Sequence, residues 1–258
     1  MQLSLAAAVN NDEIVRSCLL KSPDAGAFDE VLLQRGFDSA ATAYNDAVEK
    51  AKNDVVVLTH QDVYLPAGWL SRIGQIVERL NGTQPNWAVL GPYGVTPAGA
   101  VAGHLYCVAN HGILGSPFNE PVEVATLDEV VLLLRKSSGV RFDPDLPGFH
   151  FYGTDVCLGA RSRHLKCFAV PAFCVHNADE YGMFPGSFWK SYRFMRRKWR
   201  AQLPFRTSCI EIESSLFHPL FYALRRFLWL QKAARPLAKR VSDPAALYVE
   251  ISAANPGI

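Results

Sequence analysis

Short apolar runs alternate with helically spaced segments over the first 180 residues, the pattern of strands covered by helices. Leu3–Val9 predicts a first buried strand. Asp12–Leu20 predicts a short helix, opened by Asn10, Asn11 and Asp12, whose side chains suit the capping of free amides. After Ser39, the residues Ala40, Ala43, Ala47 and Ala51 share one face of a helix, small enough to pack closely, and Lys52-Asn53-Asp54 ends it. Val55-Val56-Val57-Leu58-Thr59 shows no alternation and predicts a central parallel strand buried on both faces. It stops at His60-Gln61-Asp62. Pro66–Leu70 opens a helix that runs to Leu80, and Trp87–Leu90 is a strand closed by Gly91-Pro92.

Thr96–Pro121 is rich in Gly and Pro and predicts a loop with a short hairpin. Val122–Thr126 alternates, Val130–Leu134 is a solid apolar run, and Val140–Gly148 is turn-rich. Tyr152–Arg163 has helical spacing, and Cys167–Val175 predicts a last strand ending at His176. The character changes after Pro185. The expectation is an α/β domain over 1–185, a mostly parallel sheet flanked by helices, followed by a basic, aromatic helical extension over 186–258. There is no internal repeat and no low-complexity segment.

Composition narrows the class. With 49% hydrophobic and 19% charged residues in 258, the chain is neither a disordered tail nor a fibre. It has no uninterrupted apolar run of the ~18 residues that cross hydrocarbon. Its six cysteines form no C-x-x-C pair and read as reduced thiols of a cytoplasmic protein. The apolar start lacks a basic leader and reads as a strand, not a signal peptide. A net charge of +2 conceals a division: residues 1–187 carry 13 basic and 20 acidic side chains, residues 188–240 carry 13 basic and two acidic. That stretch predicts a surface that meets anions. In it Phe188, Tyr192, Met195 and Trp199 fall at helical spacing, with Lys190, Arg193, Arg197 and Arg200 on another face; Leu216–Leu230 is a second apolar helix, interrupted by Pro219 and Arg225-Arg226. Two readings stand: a helix lying at an anionic membrane surface, peripheral on its inner face, or an aromatic face packed on the core with a solvated basic face. Nucleic acid is disfavoured, because no recognised motif accompanies the charge.

Candidate chemistry gathers at strand ends. In open α/β sheets, ligands collect at the carboxyl ends of strands. His60 and Asp62, two residues apart in extended chain, point to one side and could share a divalent cation or a diphosphate; the ordinary alternative is a turn or cap. Asp155 opens an apolar helix, where a first-turn acid is favoured by the dipole, and His176 closes a strand. Together they make a carboxylate–imidazole set drawn from three strand ends.

Ser39-Ala-Ala-Thr-Ala-Tyr44-Asn45 through Ala51, with Asp54-Val-Val-Val-Leu-Thr-His60-Gln61-Asp62-Val-Tyr-Leu-Pro66-Ala-Gly-Trp69-Leu, resembles the nucleotide-sugar half of family-2-like glycosyltransferases of the GT-A fold. Asp128–Lys136, Val140–Asp143, Phe149-His150-Phe-Tyr152-Gly-Thr-Asp155-Val-Cys-Leu and Val175-His176 are similar to the acceptor half. The resemblance covers roughly residues 1–178. It implies that His60-Gln61-Asp62 takes the place of the family's D-x-D motif in the donor site, with Asp62 on the Mn²⁺ or Mg²⁺ that bridges the donor phosphates. His60, in place of the first Asp, is left between a ribose or phosphate contact and a metal contact. His176 would complete the metal site, and Asn10, Tyr44 and Asn45 would flank the nucleotide. Thr154-Asp155 matches the acidic pair whose second member is the general base of inverting members, with His150 in reserve; Ser22–Arg35 lacks the family's nucleobase-holding D-x-S pattern. The implied activity is metal-dependent transfer of a sugar from a nucleotide-diphosphate sugar to an acceptor hydroxyl on a glycan, lipid-linked or small molecule. The alternatives are a metal-dependent phosphohydrolase and a non-catalytic membrane-associated module. On the resemblance, Asp155→Asn abolishes turnover and spares donor binding, which paired rate and donor-titration measurements would read.

Overall fold

The computed structural model describes residues 2–180, 183–215, 217–232, 236–255 and 258. In chain order, β1 (Ser4–Val9), α1 (Asp12–Ser17), β2 (Glu30–Arg35), α2 (Ala40–Lys50), β3 (Val55–His60), β4 (Val63–Tyr64) and α3 (Trp69–Thr83) form the first half. Then come β5 (Trp87–Gly91), β6 (Tyr93–Val95), β7 (Val101–Cys107), β8 (Gly112–Gly115), β9 (Val122–Glu123), β10 (Thr126–Leu127), β11 (Val131–Arg135), α4 (Tyr152–Ser162), β12 (Lys166–Ala169) and β13 (Val175–His176). The last part holds α5 (Gly186–Lys198), β14 (Phe205–Arg206), β15 (Glu211–Ile212), α6 (Phe217–Lys232) and α7 (Pro244–Ala254).

The main sheet has the order β2-β1-β3-β11-β5-β12-β9. Its strands β2, β1, β3, β5 and β12 run parallel, while β11 and β9 run against them. The expected α/β class with a mostly parallel sheet is therefore what the chain adopts. Both faces are covered, which is why the central strands do not alternate. Val56 and Leu58 of β3 face the cluster that holds Ala40, Tyr44 and Ala47 of α2; Val55 and Val57 face the one that holds Trp69, Ile73 and Val77 of α3. The solid run at β11 follows the same rule although it is antiparallel, because burial on two sides does not depend on direction. Ser39 caps α2, accepting from the Thr42 amide, and Asn11 caps α1.

The stretch expected as one last strand is two. β12 belongs to the main sheet; β13 belongs to a second sheet, ordered β10-β6-β7-β13-β4. Pro171 lies between them and has no amide to continue a ladder. Val122–Thr126 likewise divides, β9 to the first sheet and β10 to the second. The hairpin expected in Thr96–Pro121 is β7–β8, where Gly115 at φ +77 sits so close to the Gly103 carbonyl that a Cβ would collide with it. Nothing in the pattern marked β2, an edge strand with mixed burial, or α7, although Asp243 caps α7 and Pro244 sits at its start.

The segment past 185 packs onto the rest. Phe188, Tyr192 and Met195 of α5 are buried in the same core as α4, so for this helix the packed reading holds and the aromatic stripe is not available to a membrane. At the end of α5, Lys198 Nζ reaches Asp143 Oδ2 at 2.7 Å and Asp155 Oδ1 at 2.8 Å, and Trp199 Nε1 donates to Asp155 Oδ1 at 2.7 Å. Pro219 does not interrupt α6, since it lies in the first turn, where a missing amide costs nothing; Leu216 lies outside the described residues. Among the described residues no helix is long and apolar enough to cross a membrane. Asp155 is 2% exposed. Without this carboxylate Lys198 keeps Asp143 but the Trp199 indole loses its acceptor, so Asp155→Ala should lower the unfolding free energy by about 1–3 kcal/mol in urea denaturation.

Candidate active site

Two sheets meet at the carboxyl end of β3. His60 ends that strand in the first sheet. In the second, β13 pairs with β4 and β7 so that His176 stands opposite Val63 and Cys107, which brings it beside Asp62. The Asn177 amide donates to the Asp62 carbonyl at 2.9 Å and fixes that register. His176 Nε2 lies 3.4 Å from Asp62 Oδ1 and 3.3 Å from His60 Nδ1. His60 Nε2 lies 2.9 Å from the Tyr152 hydroxyl, which donates to the Glu129 carbonyl at 3.0 Å. One ligand atom from each of His60, Asp62 and His176 can be chosen so that all lie within 4.8 Å of one another.

Charge is divided unequally across this cluster. Burial, then the adjacent His176 charge, push the His60 imidazole down to about 4, so it is neutral at physiological pH. Burial would lower His176 too, but the Asp62 carboxylate and its hydrogen bond hold it well above the ordinary histidine value. Asp62 in turn is held below the usual carboxylate range: burial opposes ionisation, and the charge and hydrogen bond of His176, with lesser help from Arg240, overcome it. The neutral ring then accepts from His176 at Nδ1 and donates to Tyr152 at Nε2, which fixes its tautomer.

The expected donor residues divide into lip and scaffold. Asn10 and Gln61, at the ends of adjacent parallel strands, interlock: Gln61 Oε1 accepts from the Asn10 and Asn11 amides at 3.1 Å, and Gln61 Nε2 donates to Asn10 Oδ1 at 2.6 Å. Both sit on the rim beside Asp62. Tyr44 and Asn45, expected beside the nucleotide, bond their polar atoms to backbone. The Tyr44 hydroxyl donates to the Thr59 carbonyl at 2.9 Å from a side chain that is 1% exposed, and burial pushes it up to about 12. Asn45 spans the Phe142 backbone, donating to its carbonyl at 2.8 Å and accepting from its amide at 3.0 Å.

Asp155 is not drawn into the cluster. Its carboxylate is turned to Lys198 and Trp199, and burial raises it against the pull of Lys198. His150, the reserve, is half-buried, and burial keeps it below the ordinary histidine value. Its ring stands edge-on to Phe188, 5.3 Å between centroids.

Three further residues were not singled out as site candidates in the sequence, although Asp128 and Glu129 lie in the stretch that carries the resemblance. Arg240 Nη2 reaches Asp62 Oδ2 at 3.2 Å while its Nε donates to the Asn177 carbonyl at 2.8 Å. It comes from the basic stretch expected to form a surface that meets anions, 178 residues beyond Asp62. Asp128 and Glu129 precede β11; burial, then Asp128, push Glu129 up to about 8.

No family model matches the chain. A curated protein of Fuscovulum blasticum described as "ATP synthase subunits region ORF 6" is 27% identical over 179 residues, 62% of this chain and 66% of that protein. Among solved structures, GalNAc-T7 with UDP, GalNAc and Mn²⁺ superposes with a TM-score of 0.53 at 11% identity, over 76% of this chain and 48% of that one. TarS 1–349 of S. aureus with UDP-GlcNAc gives 0.50 at 13% identity, over 77% and 66%. The chain thus spans less than two thirds of each of these relatives, and at such identities the likeness is one of fold: the α/β core is of the GT-A type.

An acid held protonated in the fold ties stability to pH. Unfolded Glu129 titrates near 4.5 and folded Glu129 near 8, so the folded state keeps a proton that the unfolded state releases. Its contribution is complete below the lower value and is lost as pH rises through the upper one. In chelator, melting temperature should fall across this window more steeply for the unaltered chain than for Glu129→Gln; parallel profiles would show that Glu129 is ionised in the fold.

Proposed function

We propose that the chain transfers a sugar from a nucleotide-diphosphate donor to an acceptor hydroxyl, with a divalent cation held by Asp62 and His176 and, through Nδ1, His60. The observation that carries this reading is the convergence of these three side chains at the carboxyl end of β3 in a GT-A-type core. The donor set fits a cation: two imidazoles and one carboxylate suit Mn²⁺ better than the oxygen-seeking Mg²⁺. Such an ion would neutralise charge developing on the departing phosphate oxygen. The GalNAc-T7 structure contains UDP and Mn²⁺ and the TarS structure contains UDP-GlcNAc, which favours the same donor class here.

Each residue then has a task. Arg240, already on Asp62, supplies fixed positive charge to the diphosphate side. Asn10 and Gln61 present the rim of the nucleotide site. An acceptor hydroxyl is a poor nucleophile until a base takes its proton, a contribution of ~10²–10⁴ in rate. We assign that role to His150, neutral and partly exposed, in place of Asp155, whose carboxylate is engaged by Lys198 and Trp199. Transfer to the acceptor face in this way inverts the anomeric centre. Residues 188–240 would face an anionic surface that carries or adjoins the acceptor, with the cytoplasmic face of a membrane as its setting.

Thermal shifts with UDP-, GDP-, dTDP- and CMP-sugars, with Mn²⁺ or chelator, test donor and metal together, since a ligand at 100 times its dissociation constant adds ~2.7 kcal/mol. A shift with one base, lost in chelator and lost in Asp62→Ala, is expected; no metal-dependent shift with any donor would instead leave a non-catalytic module. Nucleotide or phosphate release that ignores every acceptor would mark a phosphohydrolase. His150→Asn should lower turnover ~10²-fold or more with donor affinity unchanged, whereas Asp155→Asn should act chiefly on stability; a turnover loss confined to Asp155→Asn returns the base to that residue.

A further inference from the structure

The amphipathic helix α6 is turned the other way from its neighbour. Phe217, Leu220, Phe221, Leu224, Phe227 and Leu228, spaced as one stripe over three turns, are 83%, 65%, 58%, 53%, 46% and 49% exposed. The opposite side of the helix holds it to the protein: Tyr222 stacks on Phe184 with centroids 5.8 Å apart, and Arg226 reaches Glu180 at 3.7 Å. A contiguous apolar patch of this kind marks a surface meant to be covered.

Beside the start of α6 lies a cavity of about 520 Å³ lined by Arg193, Arg196, Arg197, Arg200, Leu203 and Ser214. Ser214 is three residues before Phe217, and Arg196 holds the lead-in to the helix, donating from Nε to the Glu213 carbonyl at 3.1 Å and from Nη2 to the Ser214 carbonyl. Among the described residues no carboxylate pairs with any of these four arginines. Arg225 of α6 adds a further cation, its guanidinium 5.9 Å from the Phe221 ring centre.

We propose that α6 and this arginine pocket form one docking face for an anionic phospholipid bilayer, the stripe lying in the interface among acyl chains and the pocket taking a headgroup phosphate. Apolar side chains favour hydrocarbon, and planar guanidinium groups match phosphate oxygens in pairs. Charge decides among occupants. A second copy set against the same face would bring the same cationic patch and no anion to match it, since a two-fold interface uses one patch on both sides, and an apolar peptide would leave the pocket's charge unanswered. This sharpens the anionic-surface reading of residues 188–240 and is independent of the transfer chemistry, so vesicle binding and donor binding can fail separately.

The test is co-sedimentation of the full chain with vesicles of phosphatidylcholine alone and of phosphatidylcholine mixed with phosphatidylglycerol, across a salt series. Binding to the mixed vesicles that weakens with salt is expected, with about a fivefold loss per arginine in Arg193→Gln/Arg197→Gln. Phe221→Gln/Leu224→Gln should abolish it at unchanged circular dichroism. Equal binding to both vesicle types, wild-type binding by either variant, tighter binding to single-stranded RNA, or a lipid-free dimer dispersed by Phe221→Gln/Leu224→Gln would each overturn the proposal. Should a variant not fold, salt-indifferent or absent binding of the unaltered chain overturns it equally.

Discussion

The contact between His176 and Asp62 is the joint on which the site rests. One partner follows the last strand residue of a parallel sheet and the other comes from a two-residue strand in a separate sheet, so the pair exists only if both sheets hold their registers. It is partly buried, so its charges are weakly screened, and each residue sets the other's protonation. His60, squeezed between this pair and Tyr152, is left neutral as a consequence.

Much of what surrounds this joint is polar yet has no hand free for a ligand. Tyr44 and Asn45 hold the backbone at Thr59 and Phe142, and Tyr152 connects His60 to the turn before β11. Such residues resemble ligand contacts in a sequence because they are polar, clustered and close to a strand end. Their hydrogen-bond partners show them to be braces, which keep the imidazoles from relaxing away from the carboxylate. Asp155 does the same work at longer range by tying α5 to α4 and to Asp143 through Lys198.

How far the sequence could be read depended on whether a residue's partner was local. Strands β1, β3 and β5 and helices α2, α3 and α4 were legible from periodicity and caps, because both faces of the sheet impose apolarity on every residue between them. His60, Asp62 and His176 were legible as a set, since each closes an apolar run and strand ends are where side chains leave the sheet. The division of Cys167–Val175 between two sheets was not: the apolar run is continuous, and only Pro171 hinted at a break. Arg240 was invisible, one cation among thirteen in residues 188–240, distinguished by a partner far back in the chain. The orientation of α5 and α6 could not be read either, for an amphipathic helix shows which side is apolar without showing what that side meets.

The guanidinium of Arg240 has a bearing on the order in which the molecule matures. A polypeptide is made from its amino end, so Asp62 and His176 have emerged and can meet while the residue that clasps them is still being synthesised. For that interval the nascent cluster bears more uncompensated negative charge, and the Asn177 side-chain amide, which exchanges hydrogen bonds with Val241, has only Cys18 Sγ to hold. Completion of the cluster thus waits on a late clasp, supplied from 178 residues beyond the carboxylate that it holds.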